Sequence, residues 1–116
     1  MSDCIFCKII NKEIPSEIVY EDDDVIAFKD INPKAPVHIL VVPKKHIPTL
    51  NDFKEEDSDL IAKLVLTCKK IAKDFNVADS GYRMLVNVNK EGGQMIYHVH
   101  FHVLGGKHFN FEQKGE

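Results

Sequence analysis

The stretch that decides the fold of this chain is YHVHFHVL, Tyr97–Leu104. Histidine alternates with apolar residues through it, and strict alternation predicts a β-strand. Successive side chains of a strand point to opposite faces, so the three imidazoles would share one face while the apolar side chains pack into the core. Same-face neighbours in a strand lie about 6–7 Å apart, close enough for adjacent rings to share one ligand. The sequence therefore predicts a histidine site on one face of a sheet.

Four further strands are predicted around the histidine strand. Ile18–Tyr20 and Val25–Phe28 are predicted to form a hairpin, because the acidic residues between them are typical of a turn. Tyr82–Val88 is predicted to be a strand that precedes a glycine-bearing loop. Val37–Val42 is nearly all apolar, which favours a central position in the sheet. It follows Asn32–Pro36, a rigid loop because each proline fixes its own φ and restricts the residue before it.

Two helices complete the predicted elements. Cys4–Ile10 spaces its apolar residues and thiols at intervals of three and four, and Pro15 is expected to end this short helix. Glu55–Phe75 has apolar residues at helical spacing, with acidic residues at its start and lysines at its end, as the helix dipole favours. The predicted fold class is α+β, a single domain over 1–116 with a mainly antiparallel sheet of about five strands and one long helix.

Composition narrows the function classes. The chain has 116 residues, of which 28% are charged and 44% hydrophobic, an ordinary balance for one globular domain. No run approaches the roughly 18 apolar residues of a membrane span. A formal net charge of −3 argues against binding a nucleic acid polymer, which needs a basic surface. The N-terminus shows no secretory signal, so a cytoplasmic protein that acts on a small ligand is expected.

Three crowded imidazoles point to chemistry rather than to packing. They cannot all be protonated at low cost, so at neutral pH at least one ring should be a free base. A neutral imidazole nitrogen is a competent nucleophile or general base, and phosphorus is an accessible electrophile for it. Two other interpretations remain open from the residues alone: a histidine-rich surface strand, and a structural zinc site that uses two of the three rings.

Several separated motifs carry a resemblance to a known family. His98–Leu104, followed by a glycine pair, resembles the signature of the histidine triad superfamily. Gly92–Gln94, Asp30–His38 and Pro43–Ile47 are similar to segments of its nucleotide-binding branch. The resemblance extends from Cys4 to Gly106, and the motifs occur in the same order as in that branch.

The resemblance implies a homodimer with joined sheets and an activity on purine nucleoside phosphoramidates or related nucleoside 5′-monophosphate derivatives. His100 would be the nucleophile that attacks the α-phosphorus to form a nucleotidyl-histidine, which water then hydrolyses. His102 would contact the phosphate and assist the leaving group, while His98 and His38 complete the histidine cluster. Asn87, on the neighbouring strand, would donate a hydrogen bond to the site.

The resemblance also implies a nucleoside site. Asp30 would accept hydrogen bonds from the ribose hydroxyls beside an apolar slot for the base. From the residues alone, the first three members of that slot would be ordinary core. The expected slot residues are Ile5, Phe6, Ile9, Phe28 and Ile31.

The cysteines suggest a metal. Cys4 and Cys7 form a C-x-x-C motif, which alone is compatible with a redox pair, a zinc half-site or chance. Similarity to cysteine-bearing microbial members implies that His46 and His98 complete a tetrahedral Cys2His2 zinc site. Four protein ligands leave no open position, so this zinc would be structural and catalysis would need no cofactor. Cys68 falls on the apolar face of the long helix, where a small core residue is expected.

Two departures from the family pattern leave alternatives open. Position 95 is methionine where many members have a small hydroxyl residue, and a thioether cannot donate a hydrogen bond. The tail from Lys107 to Glu116 lacks the tryptophan found in some animal members.

The alternatives are a nucleotide-binding or scaffold protein with incidental turnover, a zinc module, and a dinucleoside polyphosphate hydrolase. A galactose-1-phosphate uridylyltransferase-like function is disfavoured, because the third histidine is glutamine there.

Overall fold

A computed structural model describes residues 3–110 of the chain. In chain order its main elements are α1 (Ile5–Ile10), β1 (Ile18–Glu21), β2 (Val25–Lys29), β3 (Val37–Pro43), α2 (Ser58–Asp74), β4 (Tyr82–Val86) and β5 (Phe101–Gly105). Short 3-10 turns occupy Leu50–Asp52, Glu55–Asp57 and Lys90–Gly92. No helix within the described range is long and apolar enough to cross a membrane.

The five strands form one antiparallel sheet. Its order is β1-β2-β3-β5-β4, and every neighbouring pair runs antiparallel. The predicted α+β class and five-stranded sheet are confirmed, and β3 is the central strand as its apolar run indicates. Within residues 3–110, the outer strands β1 and β4 each have one edge that no other strand pairs with.

The predicted histidine strand is wrong over its first four residues. The ladder with β3 and β4 begins at Phe101, and the backbone bends at residues 96–98. Here the Val99 N–H donates to the Ile47 carbonyl at 2.7 Å, because the segment leaves the sheet to follow the loop after β3. The three imidazoles nevertheless lie together on the α1 side of the segment. The Phe6 ring of α1 meets the rings of His98 and His100 at centroid distances of 5.9 and 5.1 Å, and the His102 ring lies 5.0 Å from His100.

Apolar side chains fill both faces of the sheet. On the α2 face, Val99, Phe101 and Val103 pack with the helix, so the predicted inward set of the histidine segment is confirmed. Cys68, with no exposed surface, belongs to this core as expected. On the opposite face, α1 covers a smaller core. That second cluster comprises Phe6, Ile9, Ile26, Phe28, Leu40 and Val42.

Three element boundaries differ from the sequence prediction. The helix α1 ends at Ile10 rather than near Pro15, because Lys12 adopts a left-handed φ of 64°. The strand β4 ends at Val86, so Asn87 lies just beyond the strand and not within it. The acidic residues before α2 form a separate 3-10 turn, and the α-helix itself begins at Ser58.

The glycine pair after the histidines has a steric explanation. A Cβ on Gly105 would lie 2.9 Å from the Cβ of Val77, so any side chain here would push the end of β5 away from the segment after α2. Gly106 has a φ of +88°, and a Cβ there would lie 2.9 Å from the Cβ of Pro36. Both positions therefore need glycine where β5 ends.

Candidate active site

The pairing of β3 with β5 brings two predicted histidines together. His38 lies opposite Leu104, and His102 lies opposite Leu40. The His38 Nε2 atom is 3.0 Å from His102 Nδ1, although the two residues are 64 positions apart in the chain. The rings of His100 and His102 follow on the same strand, with their centroids 5.0 Å apart.

Hydrogen bonds assign the tautomers of His38 and His102. The backbone N–H of Lys34 donates to His38 Nδ1 at 3.0 Å, so this nitrogen is an acceptor and the ring proton is on Nε2. That Nε2–H donates to His102 Nδ1, which places the proton of a neutral His102 on its Nε2. The His102 Nε2 is buried and has no hydrogen-bond partner among residues 3–110. It is therefore a donor held ready for a ligand.

The tautomer of His100 follows from a backbone contact. Its Nδ1 lies 2.8 Å from the carbonyl oxygen of His98, which can only accept, so Nδ1 carries the proton. The Nε2 of His100 keeps its lone pair. A ring held in this way presents an unprotonated nitrogen, the form that a nucleophile needs.

Burial keeps the histidines neutral. Burial, together with the nearby His100 and His38, lowers the pKa of His102 to about 4. Burial also lowers the pKa of His100 and of His38, although the carboxylate of Asp30 opposes the shift in both. At neutral pH the three rings are therefore free bases. Mutual repulsion between the rings was predicted to lower their pKa values, and burial lowers them more.

A cavity beside these rings brings the predicted nucleoside site together. It lies between α1, β2 and the loops that follow β2 and β4, and its walls are largely apolar. His38 and His98 are not among its lining residues: the His38 ring contacts His102, and the His98 ring contacts the Cys4 sulfur. The predicted residues that do line the cavity are Ile5, Phe6, Ile9, Phe28, Asp30, Ile31, Asn87, His100 and His102.

The apolar wall also belongs to the core. Phe6 and Ile9 are only 4% and 7% exposed, so they are core residues that also line the cavity. The Phe6 ring meets Phe28 edge to face at a centroid distance of 5.3 Å. Ile31 is 91% exposed and lies at the rim of the cavity rather than deep in the slot. Phe6 and Ile9 are therefore both core residues, as expected from the residues alone, and part of the cavity wall, as the resemblance implies.

The polar residues of the cavity are held in place by the backbone. One oxygen of Asp30 accepts from the Asn32 N–H at 2.8 Å, and the other lies 3.4 Å from His38 Nε2. The Asn87 side-chain N–H donates to the Gly92 carbonyl at 2.8 Å. These bonds fix a carboxylate and an amide in the wall of the cavity.

Sequence reasoning missed two residues that organise the site. Lys34 sets the tautomer of His38 through its backbone N–H, which no residue type signals. Gln94 is 5% exposed, and its side chain bonds Asn89, Pro48 and Ile96, so it holds the loop after β4. The motif Gly92–Gln94 indicated the importance of this loop but not the buried amide. Met95 is 89% exposed at the cavity rim.

A second cluster lies behind α1. The donor atoms of Cys4, Cys7, His46 and His98 all lie within 4.8 Å of one another, which brings together the four predicted metal ligands. His98 Nδ1 is 3.3 Å from the Cys4 sulfur and 3.2 Å from His46 Nδ1. The Cys7 sulfur is 3.4 Å from His46 Nδ1. These separations suit two sulfur and two nitrogen ligands around one tetrahedral ion.

The chemistry of the cluster fits zinc. The His98 Nε2–H donates to the Pro43 carbonyl at 2.8 Å, which leaves Nδ1 unprotonated and is the usual second contact of a zinc-bound histidine. Burial lowers the pKa of His98 to about 4. Burial, then the adjacent Cys4, raises the pKa of Cys7 to about 11, so a bound cation would be needed to stabilise the thiolate. Two thiols, of which Cys7 is buried and Cys4 half-buried, and two imidazoles together form a donor set suited to a cation.

Comparisons with known proteins agree with this geometry. The family model of the HIT domain matches residues 11–109. A purine nucleoside phosphoramidase from Escherichia coli strain K12 is 50% identical over 103 residues, which cover 89% of this chain and 87% of that protein. The crystal structure of a HIT family hydrolase from Legionella pneumophila superimposes with a TM-score of 0.92 at 47% identity, covering 94% and 97% of the two chains. A histidine triad protein from Clostridium difficile has a TM-score of 0.93 at 47% identity, covering 97% and 98%.

Proposed function

Because the chain belongs to the HIT domain family, we propose that it is an enzyme that hydrolyses purine nucleoside phosphoramidates or related nucleoside 5′-monophosphate derivatives. The resemblance seen in the sequence is thereby confirmed at the level of the family. A relative that is 50% identical is named a purine nucleoside phosphoramidase, which supports the substrate class. The observation that carries the proposal is the free Nε2 of His100 beside the apolar cavity.

The first half-reaction transfers the nucleotide to the protein. His100 Nε2 attacks the α-phosphorus and forms a phosphorus–nitrogen bond, while the bond to the leaving amine breaks and its electron pair stays on the amine nitrogen. That nitrogen has taken a proton from solvent, so it leaves as the neutral amine. The His102 Nε2–H, which has no other partner in the described chain, donates a hydrogen bond to the nitrogen as the bond breaks. The His38 Nε2–H holds His102 in this neutral tautomer. The His98 carbonyl stabilises the positive charge on the substituted His100 ring.

The second half-reaction returns the cluster to its starting state. Water attacks phosphorus and releases a proton to solvent, and the bond to His100 breaks with its electron pair returning to Nε2. The products are the nucleoside monophosphate and the free amine. Splitting one displacement into two in this way is the usual advantage of a covalent intermediate.

The charges around the cavity favour a substrate with one phosphate. The charged residues lining it are Glu17, Lys29, Asp30 and Lys34, two of each sign, and Lys29 already pairs with Glu17 at 2.9 Å. A dinucleoside polyphosphate carries several negative charges and would need more cations than this site offers. We therefore place dinucleoside polyphosphate hydrolysis second.

The direct test is an assay of both substrate classes. Purified protein should hydrolyse adenosine 5′-phosphoramidate to the monophosphate and ammonia, and should act far more slowly on diadenosine polyphosphates. A wild-type protein that binds adenosine 5′-monophosphate but turns over neither substrate would support the alternative of a nucleotide-binding or scaffold protein. Faster cleavage of the polyphosphate would replace the proposed substrate class.

We further propose that Cys4, Cys7, His46 and His98 hold a structural zinc ion. All four positions of a tetrahedral ion would be filled by protein atoms, so the metal would take no part in the reaction. Reduced thiols are needed for such a site, and this fits the cytoplasm, which keeps cysteines reduced.

Replacing Cys7 with serine should remove the zinc and destabilise the protein. Zinc that binds only the folded state stabilises it by about 2.7–4.1 kcal/mol when free zinc exceeds its dissociation constant 100- to 1,000-fold. The measurement is zinc content together with thermal unfolding with and without chelator. Cys68→Ala is the matched control. Cys68 is buried in the α2 core and is not one of the proposed ligands, so this variant should keep the zinc. The zinc site would be contradicted if the purified wild type contained no zinc and the Cys7→Ser variant had the same melting temperature as the wild type.

We also propose a homodimer that forms at the unpaired edge of β4. Met84 on this strand is 39% exposed and Leu66 on α2 is 60% exposed, while Leu66 and Tyr82 line one surface depression. An exposed strand edge beside apolar side chains is a surface that a second copy would cover. The purine nucleotide and this second copy are the partners we propose, with no role for a nucleic acid polymer or a membrane.

Sedimentation should therefore give a dimer at micromolar concentration. Met84→Lys should shift the protein toward the monomer, because it places a charge in the proposed contact, and circular dichroism should stay native. A wild-type monomer under these conditions would remove the homodimer from the proposal.

A further inference from the structure

The short helix α1 carries residues of two different sites. Its N-cap residue Cys4 and its third residue Cys7 belong to the metal-binding cluster, and the Cys7 N–H donates to the Cys4 sulfur at 3.3 Å. The interleaved residues Phe6 and Ile9 line the cavity. A helix of six residues moves as one body, so a shift of its cysteines is also a shift of the cavity wall.

His98 forms a second connection between the sites. Its ring is anchored at both nitrogens, with Nδ1 in the cluster and Nε2–H bonded to the Pro43 carbonyl. Its backbone carbonyl accepts the Nδ1–H of His100 at 2.8 Å and so fixes which nitrogen of His100 is free. The orientation of the His100 ring therefore depends on a residue whose side chain is a metal ligand.

The ring of Phe6 is a third connection. It meets the His98 ring at a centroid distance of 5.9 Å and the His100 ring at 5.1 Å, with an interplanar angle of 87° to His100. The edge-to-face geometry is one that aromatic pairs prefer. Phe6 thus contacts a metal ligand and the nucleophile from the helix that carries both cysteines.

We propose that metal binding at the Cys/His cluster and nucleotide binding in the cavity are positively coupled through α1 and His98. Zinc holds α1 where it forms the apolar wall and holds the His98 carbonyl where it orients His100, so the zinc-loaded protein binds nucleotide more tightly. By linkage, bound nucleotide must raise the affinity for zinc by the same factor. The inference rests on the nucleotide ligand and the zinc site of the proposed function.

The rest of the fold should not depend on zinc. The core on the α2 face includes none of the four cluster residues and joins the helix to strands β2, β3 and β5. The zinc-free protein is therefore expected to keep its sheet and α2, with the change concentrated at α1 and His98. Such a local change is what distinguishes coupling of two sites from stabilisation of the whole protein.

The experiment measures two equilibrium constants. Calorimetry gives the dissociation constant of adenosine 5′-monophosphate for zinc-loaded and zinc-stripped wild type, and competition with a chromophoric chelator gives the zinc affinity with and without the nucleotide. The nucleotide should bind about 5-fold or more weakly without zinc, the lower end of usual coupling between sites. The nucleotide should raise the zinc affinity by an equal factor.

Two variants and the fold of the zinc-free protein complete the test. Phe6→Leu should reduce the coupling factor, whereas Cys68→Ala, which touches neither site, should leave it at the wild-type value. If the folded zinc-free protein binds the nucleotide within about 2-fold of the affinity of the zinc-loaded protein, the coupling is refuted but the proposed function is not. Loss of the sheet signal without zinc would overturn the coupling too, since zinc would then act on the whole fold. A zinc-loaded protein that fails to bind the nucleotide would refute the proposed function itself.

Discussion

Replacing His100 with alanine should abolish hydrolysis and leave nucleotide binding nearly intact. The loss of a covalent nucleophile lowers kcat by about 10⁴-fold or more. The base and ribose contacts are proposed to come from Phe6, Phe28 and Asp30, which line the cavity and are unchanged in this variant. The measurements are turnover of adenosine 5′-phosphoramidate and calorimetric binding of the monophosphate.

Trapping the intermediate tests the same step directly. Acid quenching of the wild type during turnover should give an intact mass increased by one nucleotidyl group, and peptide mapping should place it on His100. His100→Asn keeps a polar side chain of intermediate size and should give no adduct. An adduct on another residue, or a His100→Ala protein that retains most of its activity, would refute the mechanism.

Replacing His102 with alanine should slow hydrolysis by about 10²–10³-fold, the usual loss when one donor to the transition state is removed. The reason is that its Nε2–H, a buried donor without a partner among residues 3–110, would donate a hydrogen bond to the leaving nitrogen as the bond to phosphorus breaks. The loss should depend on the amine. An alkyl amine is a poor leaving group that needs this donor and should show the full effect, whereas a nitroaryl amine leaves readily without it and should show a much smaller one.

His108→Ala is the matched control for this series, because His108 is an exposed histidine that does not line the cavity. It should show wild-type rates with both amines. Equal losses for the two amines in His102→Ala would exclude a hydrogen bond from His102 to the leaving nitrogen and leave only a contact with the phosphate.

The overall architecture could be predicted because its signals are periodic. The apolar run Val37–Val42 indicated the central strand, and the spacing of apolar residues around Cys68 indicated the long helix and its buried face. The resemblance of separated motifs identified the family, and the structure brings nearly all of the named residues to two adjacent clusters. Their chemical roles remain predictions that the experiments above decide.

What could not be predicted came from backbone contacts. Alternation predicted that the histidine strand begins at Tyr97. Because the Val99 N–H instead bonds the Ile47 carbonyl, the ladder begins only at Phe101, and the His98 ring lies against the Cys4 sulfur. The tautomers of His38 and His100 are set by a backbone N–H and a backbone carbonyl, which every residue type offers. Periodicity records side chains only, so these contacts leave no pattern in a single sequence.

The backbone donor at Lys34 has a consequence for mutational scanning. An alanine at this position removes the ammonium group but keeps the N–H that bonds His38 Nδ1. An alanine scan would therefore report on the charge of Lys34 and miss its effect on the proton of His38. Only a change to the peptide itself, such as proline or an ester in place of the amide, would expose that contribution. Tolerance of side-chain replacement in this loop is thus no sign that the loop is a passive connection.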